Sequence, residues 1–285
     1  MRTVLYKVAG HTFAVSGQAG FFELMGNYEP FECEGGEPVF SLTIECGVVP
    51  EYTEVYPLKK RAGIIYGRTA SGNEVFNFVV STEQEGCLIC SKDHREGRLI
   101  MTGEDYKNML VYPLMMMYAL ATAGKDTLLL HAVAVSQEGK GYLFLGPSGT
   151  GKSTHARLWL KHIGGTELVN DDNPVVRGGV VYGSPWGGLK TPCHRNVSFP
   201  IGGIVRLSQA PENKIHRLSG IEAYLNLQWF DFCRLRGCPI AEEIDNGLHQ
   251  TEDKLASTIP MWQLDCLPDE AAAILCHDTI TNQGI

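Results

Sequence analysis

The first hundred residues alternate between apolar and polar positions in short runs, which is the period of strands and not of helices. TVLYKVAGHTFAVSG makes two extended runs about Ala9-Gly10, and VFSLTIEC alternates over 39–46. AGIIYGRTASGNEVFNFVVS predicts a hairpin with Ser71-Gly72-Asn73 at its tip. GCLICSKDHREGRLIM predicts a second hairpin, whose charged turn runs from Lys92 to Gly97. Strands this short, separated by polar turns, predict an antiparallel, β-rich unit over 1–104.

The pattern changes at Gly103-Glu104-Asp105. Residues 105–123 fit a helix stopped by Gly124, with the Met115-Met116-Met117 run reading as core filling. Two strands follow, over 128–135 and 141–145, joined by a turn at 137–140. A helix over 152–163, ended by Gly164-Gly165, would place Ala156, Trp159, Leu160 and Ile163 on one face. Residues 220–236 read as a largely apolar helix carrying Trp229, Phe230 and Phe232, suited to a core or an oligomer contact. A late strand is expected over 259–267, with Asp269 as N-cap of a last helix. The expected class is α/β in the mixed, α+β sense, with a second domain over 105–285.

Composition narrows the functions. The 285 residues are 44% hydrophobic, with 24 Lys and Arg against 32 Asp and Glu, a net charge of −8. That excludes a disordered chain and a basic nucleic-acid coat, since non-specific nucleic-acid affinity comes from cations on phosphates. No nucleic-acid partner is expected. The N-terminal MRTVLYKVAGHTFAVSG lacks the apolar core of a secretory signal, and the most apolar stretch, 109–123, is short and contains Pro113. No membrane association is expected. Nine scattered cysteines suit reduced thiols and a cytoplasmic location. Cys87 and Cys90 have C-x-x-C spacing, but on a strand positions three apart point to opposite faces, and no second pair completes a zinc set.

The most informative segment is GPSGTGKST: Gly146, Pro147, Ser148, Gly149, Thr150, Gly151, Lys152, Ser153 and Thr154. It fits G-x-x-x-x-G-K-[ST], follows an apolar strand and opens a helix. In such a loop the glycines let backbone N–H groups turn inward around phosphate oxygens, and the helix N-terminus adds a favourable dipole. Lys152 would reach the β- and γ-phosphates and Ser153 would hold a metal. Asp171 and Asp172 follow a short apolar run 19 residues beyond Lys152. One could hold a metal while the other accepts a proton from an attacking hydroxyl; an Asx-type turn before Asn173-Pro174 is the other reading. His131 could be a core residue of its strand or lie near the phosphates. Arg195 could bridge to a transferring phosphoryl group with planar, bidentate geometry.

HAVAV, then GYLFLGPSGTGKST, then LVNDD at this spacing resembles the C-terminal domain of HPr kinase/phosphorylase, and is similar to the nucleotide core of ATP-dependent phosphoenolpyruvate carboxykinase. The resemblance spans roughly 128–207. It implies that Gly146 to Thr154 bind the phosphates of ATP, with Lys152 contacting them and Ser153 on the metal. It further implies that Asp171 is the catalytic carboxylate, Asp172 its metal-side partner, His131 a metal-side group near the phosphates, and Arg195 a ligand of the terminal phosphates. Segments for binding phosphoenolpyruvate are not found, and the glycine-rich signature that follows the aspartates in bacterial HPr kinases is replaced by GGLKTPCHRN. The β-rich front looks more like that of small HPr-kinase-like proteins accompanying peptide-modification systems.

The expectation is an ATP-dependent kinase using Mg²⁺, with Mn²⁺ as the other candidate, that phosphorylates a hydroxyl of a peptide, protein or small molecule; whether it is a monomer or a homo-oligomer is left open by the sequence. The alternatives are an ATP-binding sensor without phosphotransfer and a carboxykinase-like enzyme.

Overall fold

The structure, a computed structural model, describes residues 1–56, 63–80, 83–102, 106–188, 193–235 and 241–282. The expected boundary at 104/105, the helix start at 105 and the helix end at 236 lie outside them. The fold is mixed α/β, with two large mixed sheets and several helices. The chain divides into two compact units, one of Met1–Ala123 with 241–245, the other of Gly124–Leu235 with 246–282.

The first unit is built on nine strands, in the order Glu32–Cys33, Arg2–Val8, His11–Gly17, Ser41–Cys46, Glu96–Met101, Glu83–Cys90, Glu74–Val80, Gly63–Arg68 and Thr53–Tyr56. The hairpin turns at Ala9-Gly10 and before Glu74 form where the sequence places them. Ser41–Cys46 differs from expectation, pairing in parallel with strands on both sides. Alternation reports which face a residue occupies and carries no information on the direction of a partner strand.

Helix Tyr106–Thr122 packs on Glu83–Cys90 and Glu96–Met101. Met115, Met116 and Met117 are all buried, the core-filling role expected of them. Cys87 joins the cluster of Val75, Ile89 and Ile100, whereas Cys90 donates to the Met117 sulfur at 3.5 Å, so the pair occupies opposite faces. A polar group sits inside this apolar sheet. The Glu74 carboxylate accepts from Tyr66 Oη at 2.7 Å and meets His94 Nε2 at 2.6 Å, with Glu74 and His94 both buried.

In the second unit a central layer runs in the order Thr127–Leu129, Val175–Arg177, Val180–Tyr182, Ser198–Gln209, Lys140–Leu145, Ala132–Gln137 and Glu167–Asn170. Met261–Cys266 lies in parallel beside Ser198–Gln209, and Lys214–Leu218 pairs with it. One face of the layer carries Val133, Val135, Tyr142, Phe144, Val205, Leu207, Trp262 and Leu264. Against it pack Ala156, Trp159 and Ile163 of one helix and Ala273, Cys276 and Ile280 of another. The first of these helices is Lys152–His162 and the second Glu270–Thr281, whose N-cap Asp269 accepts from Ala272 N as its position predicts.

Three sequence expectations are corrected here. Leu160 is exposed; the buried face of its helix runs Lys152, His155, Ala156 and Trp159, one step round the wheel. The run at 128–135 is two strands, broken where Leu130 bridges Asp231 and His131 N donates to the Phe230 carbonyl. The helix expected over 220–236 is two helices, Ile221–Gln228 and Phe232–Leu235, with the Asp231 carboxylate accepting from Cys233 N at the start of the second. Phe230 and Phe232 are buried, but Ile221, Leu225 and Trp229 face solvent. No helix among the described residues is long and apolar enough to cross a membrane.

Candidate phosphate-loop site

Strand Lys140–Leu145 delivers the chain to Gly146 at the C-terminal edge of the sheet, and helix Lys152–His162 carries it back beneath. Between them the loop is closed internally, Thr150 donating through both its N–H and its hydroxyl to the Pro147 carbonyl at 3.1 and 2.8 Å. Gly151 is the helix N-cap with φ 107°, a left-handed conformation that a side chain would strain. Its surroundings are open, so conformation and not packing demands glycine there. The loop tip is braced from a distant strand, with Gln209 Nε2 donating to the Gly149 and Thr150 carbonyls at 3.2 and 3.4 Å. Pro147, Ser148, Gly149 and Ser153 are exposed, and Thr154 is half-buried.

Lys152 is buried within this frame. Its ammonium donates to the Gly146 carbonyl at 2.7 Å, approaches the Pro147 carbonyl at 3.4 Å and meets His131 Nε2 at 2.9 Å. Burial pushes its pKa down to about 8, partly offset by the charge of Asp172. An ammonium can only donate, so His131 Nε2 accepts and Nδ1 carries the ring proton. That nitrogen faces Asp172 Oδ1 at 3.3 Å. Asp172, His131 and Lys152 therefore form a continuous polar chain ending at the loop. Strand register explains the meeting. Ala132 pairs with Leu145, and Ala132 N donates to the Asp172 carbonyl, so all three segments end at one level of the sheet.

The turn holding Asp171 and Asp172 is made by a neighbour that the motif did not single out. Asn170 Oδ1 accepts from Asp172 N at 2.9 Å and Asn173 N at 2.8 Å, an Asx turn. Asn170 Nδ2 donates to Ser184 Oγ at 3.1 Å, and that hydroxyl donates to the Asn173 carbonyl at 2.6 Å. Both Asn170 and Ser184 are fully buried. An Asx turn is therefore present, supplied by Asn170 and not by either aspartate. Asn173 Nδ2 donates to Asp172 Oδ2 at 2.7 Å. Asp171 points elsewhere, accepting at Oδ1 from Gly188 N at 3.0 Å and Cys193 N at 3.1 Å.

Arg195 is not brought to the loop. Its guanidinium donates to the Leu168 carbonyl and to Glu167 Oε2, both at 2.7 Å. Leu168 is level with Val135 and hence with Tyr142, three residues before Leu145. At strand rise that is about 10 Å from the start of the loop. Below the loop His155 is buried, its pKa pushed down to about 4 by burial; it accepts from Trp159 Nε1 at 3.2 Å and packs edge-on against Phe144. His155, Asn170, Ser184 and Gln209 lie outside the sequence reading. An Asn directly before paired aspartates was a usable turn signal; nothing local announces Gln209, some 60 residues from the loop it braces.

A divalent ion fits this arrangement in donor chemistry. Among the described residues no three His, Cys, Asp or Glu side chains converge as a metal cage. Mg²⁺, however, usually takes one or two carboxylates and completes its shell with phosphate oxygens and water. Asp172, with its partly exposed carboxylate, and the exposed Ser153 hydroxyl supply hard oxygen donors beside the loop. His131 has both ring nitrogens engaged, and its imidazole would suit Mn²⁺ better than Mg²⁺. No protein-family model matches the chain, and no curated protein matches it.

Proposed function

We propose that the second unit binds ATP with a divalent ion and transfers the γ-phosphoryl group to a hydroxyl of a peptide, protein or small molecule, as the HPr-kinase-like proteins it resembles do. The observation that carries this reading is the Lys152 ammonium, buried at the mouth of the Gly146–Thr154 loop and backed by His131 and Asp172. A lysine held there by neutral carbonyls exchanges them for phosphate oxygens at a gain, because anionic acceptors bind an ammonium more strongly. The N-terminus of helix Lys152–His162 adds to the same field. The metal, bound by Asp172 and Ser153, would neutralise phosphate charge. Positioning and electrostatics supply most of the rate in such transfers. The eight described cysteines are all free thiols, which supports a cytoplasmic setting.

Incubation with γ-labelled ATP, Mg²⁺ and pools of peptide, protein and small-molecule alcohols tests the proposal. Label in an acceptor supports it. Nucleotide binding with no label transfer to any pool favours a sensor, and oxaloacetate-dependent ATP consumption favours carboxykinase-like chemistry.

The brace on the loop gives a milder expectation. Gln209→Ala removes a side-chain bond to two loop carbonyls. At about 0.5–1.5 kcal/mol for a hydrogen bond, the Kd for an ATP analogue should rise roughly three- to tenfold in titration calorimetry.

A further inference from the structure

Asp171 and Asp172 are adjacent in sequence and differ in every contact. Asp172 looks toward His131, whereas both oxygens of Asp171 are pressed against another stretch of backbone. Beyond its bonds from Gly188 N and Cys193 N, a Cβ at Gly187 would lie 2.8 Å from Oδ1, and one at Gly188 would lie 2.7 Å from Oδ2. Both distances are below any ordinary contact, so the Gly187-Gly188 pair is what lets this carboxylate approach. Cys193 and Arg195 in turn meet strand Glu167–Asn170. Cys193 Sγ lies 3.6 Å from the Val169 carbonyl and 3.7 Å from that of Leu168, and Arg195 donates to Leu168 as described. Glu167–Asn170 is the last strand of its sheet, and an edge with unpaired carbonyls needs cover. Cys193 and Arg195 supply that cover through side-chain donors, and the Asp171 carboxylate holds the Cys193 backbone beside the edge.

We infer that Asp171 is a positioning residue, whose carboxylate clasps Gly188 and Cys193 over the sheet edge beside the phosphate loop. The effect on turnover rests on the phosphoryl-transfer reading above; the clasp does not. Aspartate serves here as an acceptor of two N–H bonds, a task that an asparagine Oδ1 can also perform, more weakly because it is uncharged. Arg195 belongs to the same clasp, its guanidinium spent on Leu168 and Glu167.

The test compares Asp171→Asn with Asp171→Ala in the full chain, following amide hydrogen exchange at Gly188 and Cys193 by NMR alongside kcat and KM for ATP. Thermal melts establish that each variant is folded. Asp171→Ala is expected to speed exchange at both amides by about tenfold or more, the loss of a charge-assisted bond of roughly 1.5–3 kcal/mol, and to lower kcat. Asp171→Asn should restore much of both, with KM for ATP little changed. The inference is overturned if Asp171→Asn keeps both amides protected yet costs the 10²–10⁴-fold in kcat expected of a lost proton acceptor. It is equally overturned if Asp171→Ala leaves both amides protected. Should the wild-type chain transfer no phosphoryl group, the kinase reading fails while the exchange measurements still decide the clasp.

Discussion

Lys152→Met should reduce the proposed phosphoryl transfer by about 10²–10³-fold or more, the scale on which a preorganised donor to transition-state charge contributes, while leaving the fold intact. Methionine matches the lysine in length and buries without a charge. The ligand-free variant should therefore melt no lower than the wild type, although the Gly146 carbonyl loses a donor. The pH dependence separates this from a generic packing effect. Burial holds the Lys152 pKa at about 8, below its ordinary value of 10.5. A depressed group disfavours folding while protonated, so its contribution to stability grows as pH rises from about 8 toward 10.5 and is lost as pH falls back through 8. Wild type should show this slope relative to Lys152→Met in paired denaturant melts. Nucleotide affinity should move oppositely. On the proposed function phosphate binds the ammonium form, so above pH 8 ATP binding should take up a proton and weaken, by up to about tenfold per pH unit. Calorimetry in buffers of different ionisation enthalpy reads that proton directly. Full transfer activity in Lys152→Met would remove the site from the mechanism.

What could be read from the chain follows the range of each interaction. The loop from Gly146 to Thr154 was legible because one contiguous segment supplies its glycines, its lysine and its helix start. The proximity of His131, Lys152 and Asp172 was also within reach, since the three lie on or beside consecutive elements. Arg195 was not. Its guanidinium is taken up by the Leu168 carbonyl and the Glu167 carboxylate, partners set by how distant strands meet and not by local sequence. Asn170 carries no chemistry of its own in the motif, yet this buried Asn with Ser184 builds the turn of the paired aspartates. The break at His131 was hidden by an unbroken apolar run, where period gives no signal. Helix Glu242–Thr258 lacks a sequence signal for the reverse reason: apart from Leu248 and Leu255 its buried positions are Gly247, Thr251 and Glu252, too few apolar residues to mark a face.

Removing the buried carboxylate of the first unit should have the largest effect on stability. Glu74 is almost sealed from solvent, yet its carboxyl is held below its ordinary range. Burial pushes it up, and the hydrogen bonds from His94 and Tyr66 together with the charges of His94 and Arg68 outweigh that push. His94 adopts φ 53°, an uncommon conformation for a residue with a side chain, and it does so in the turn between two paired strands. The Glu74 contact holds that turn from inside the sheet. Glu74→Ala leaves the buried His94 and Tyr66 without their acceptor, a change expected to cost about 2–5 kcal/mol, at about 1–3 kcal/mol for each buried donor left unsatisfied. Glu74→Gln keeps an acceptor and should cost distinctly less. The sign with pH is fixed by the depressed value. Stability from Glu74 is present above the ordinary carboxyl range and is lost as pH falls through the lower, folded value. The acid limb of a denaturant-melt series should therefore be steeper for wild type than for Glu74→Gln. Amide exchange at Leu88 and Leu99, paired across the two strands that meet at this turn, reports the same loss locally. If exchange there is unchanged in Glu74→Ala, the carboxylate does not hold the turn, and the strained His94 must be supported by the sheet alone.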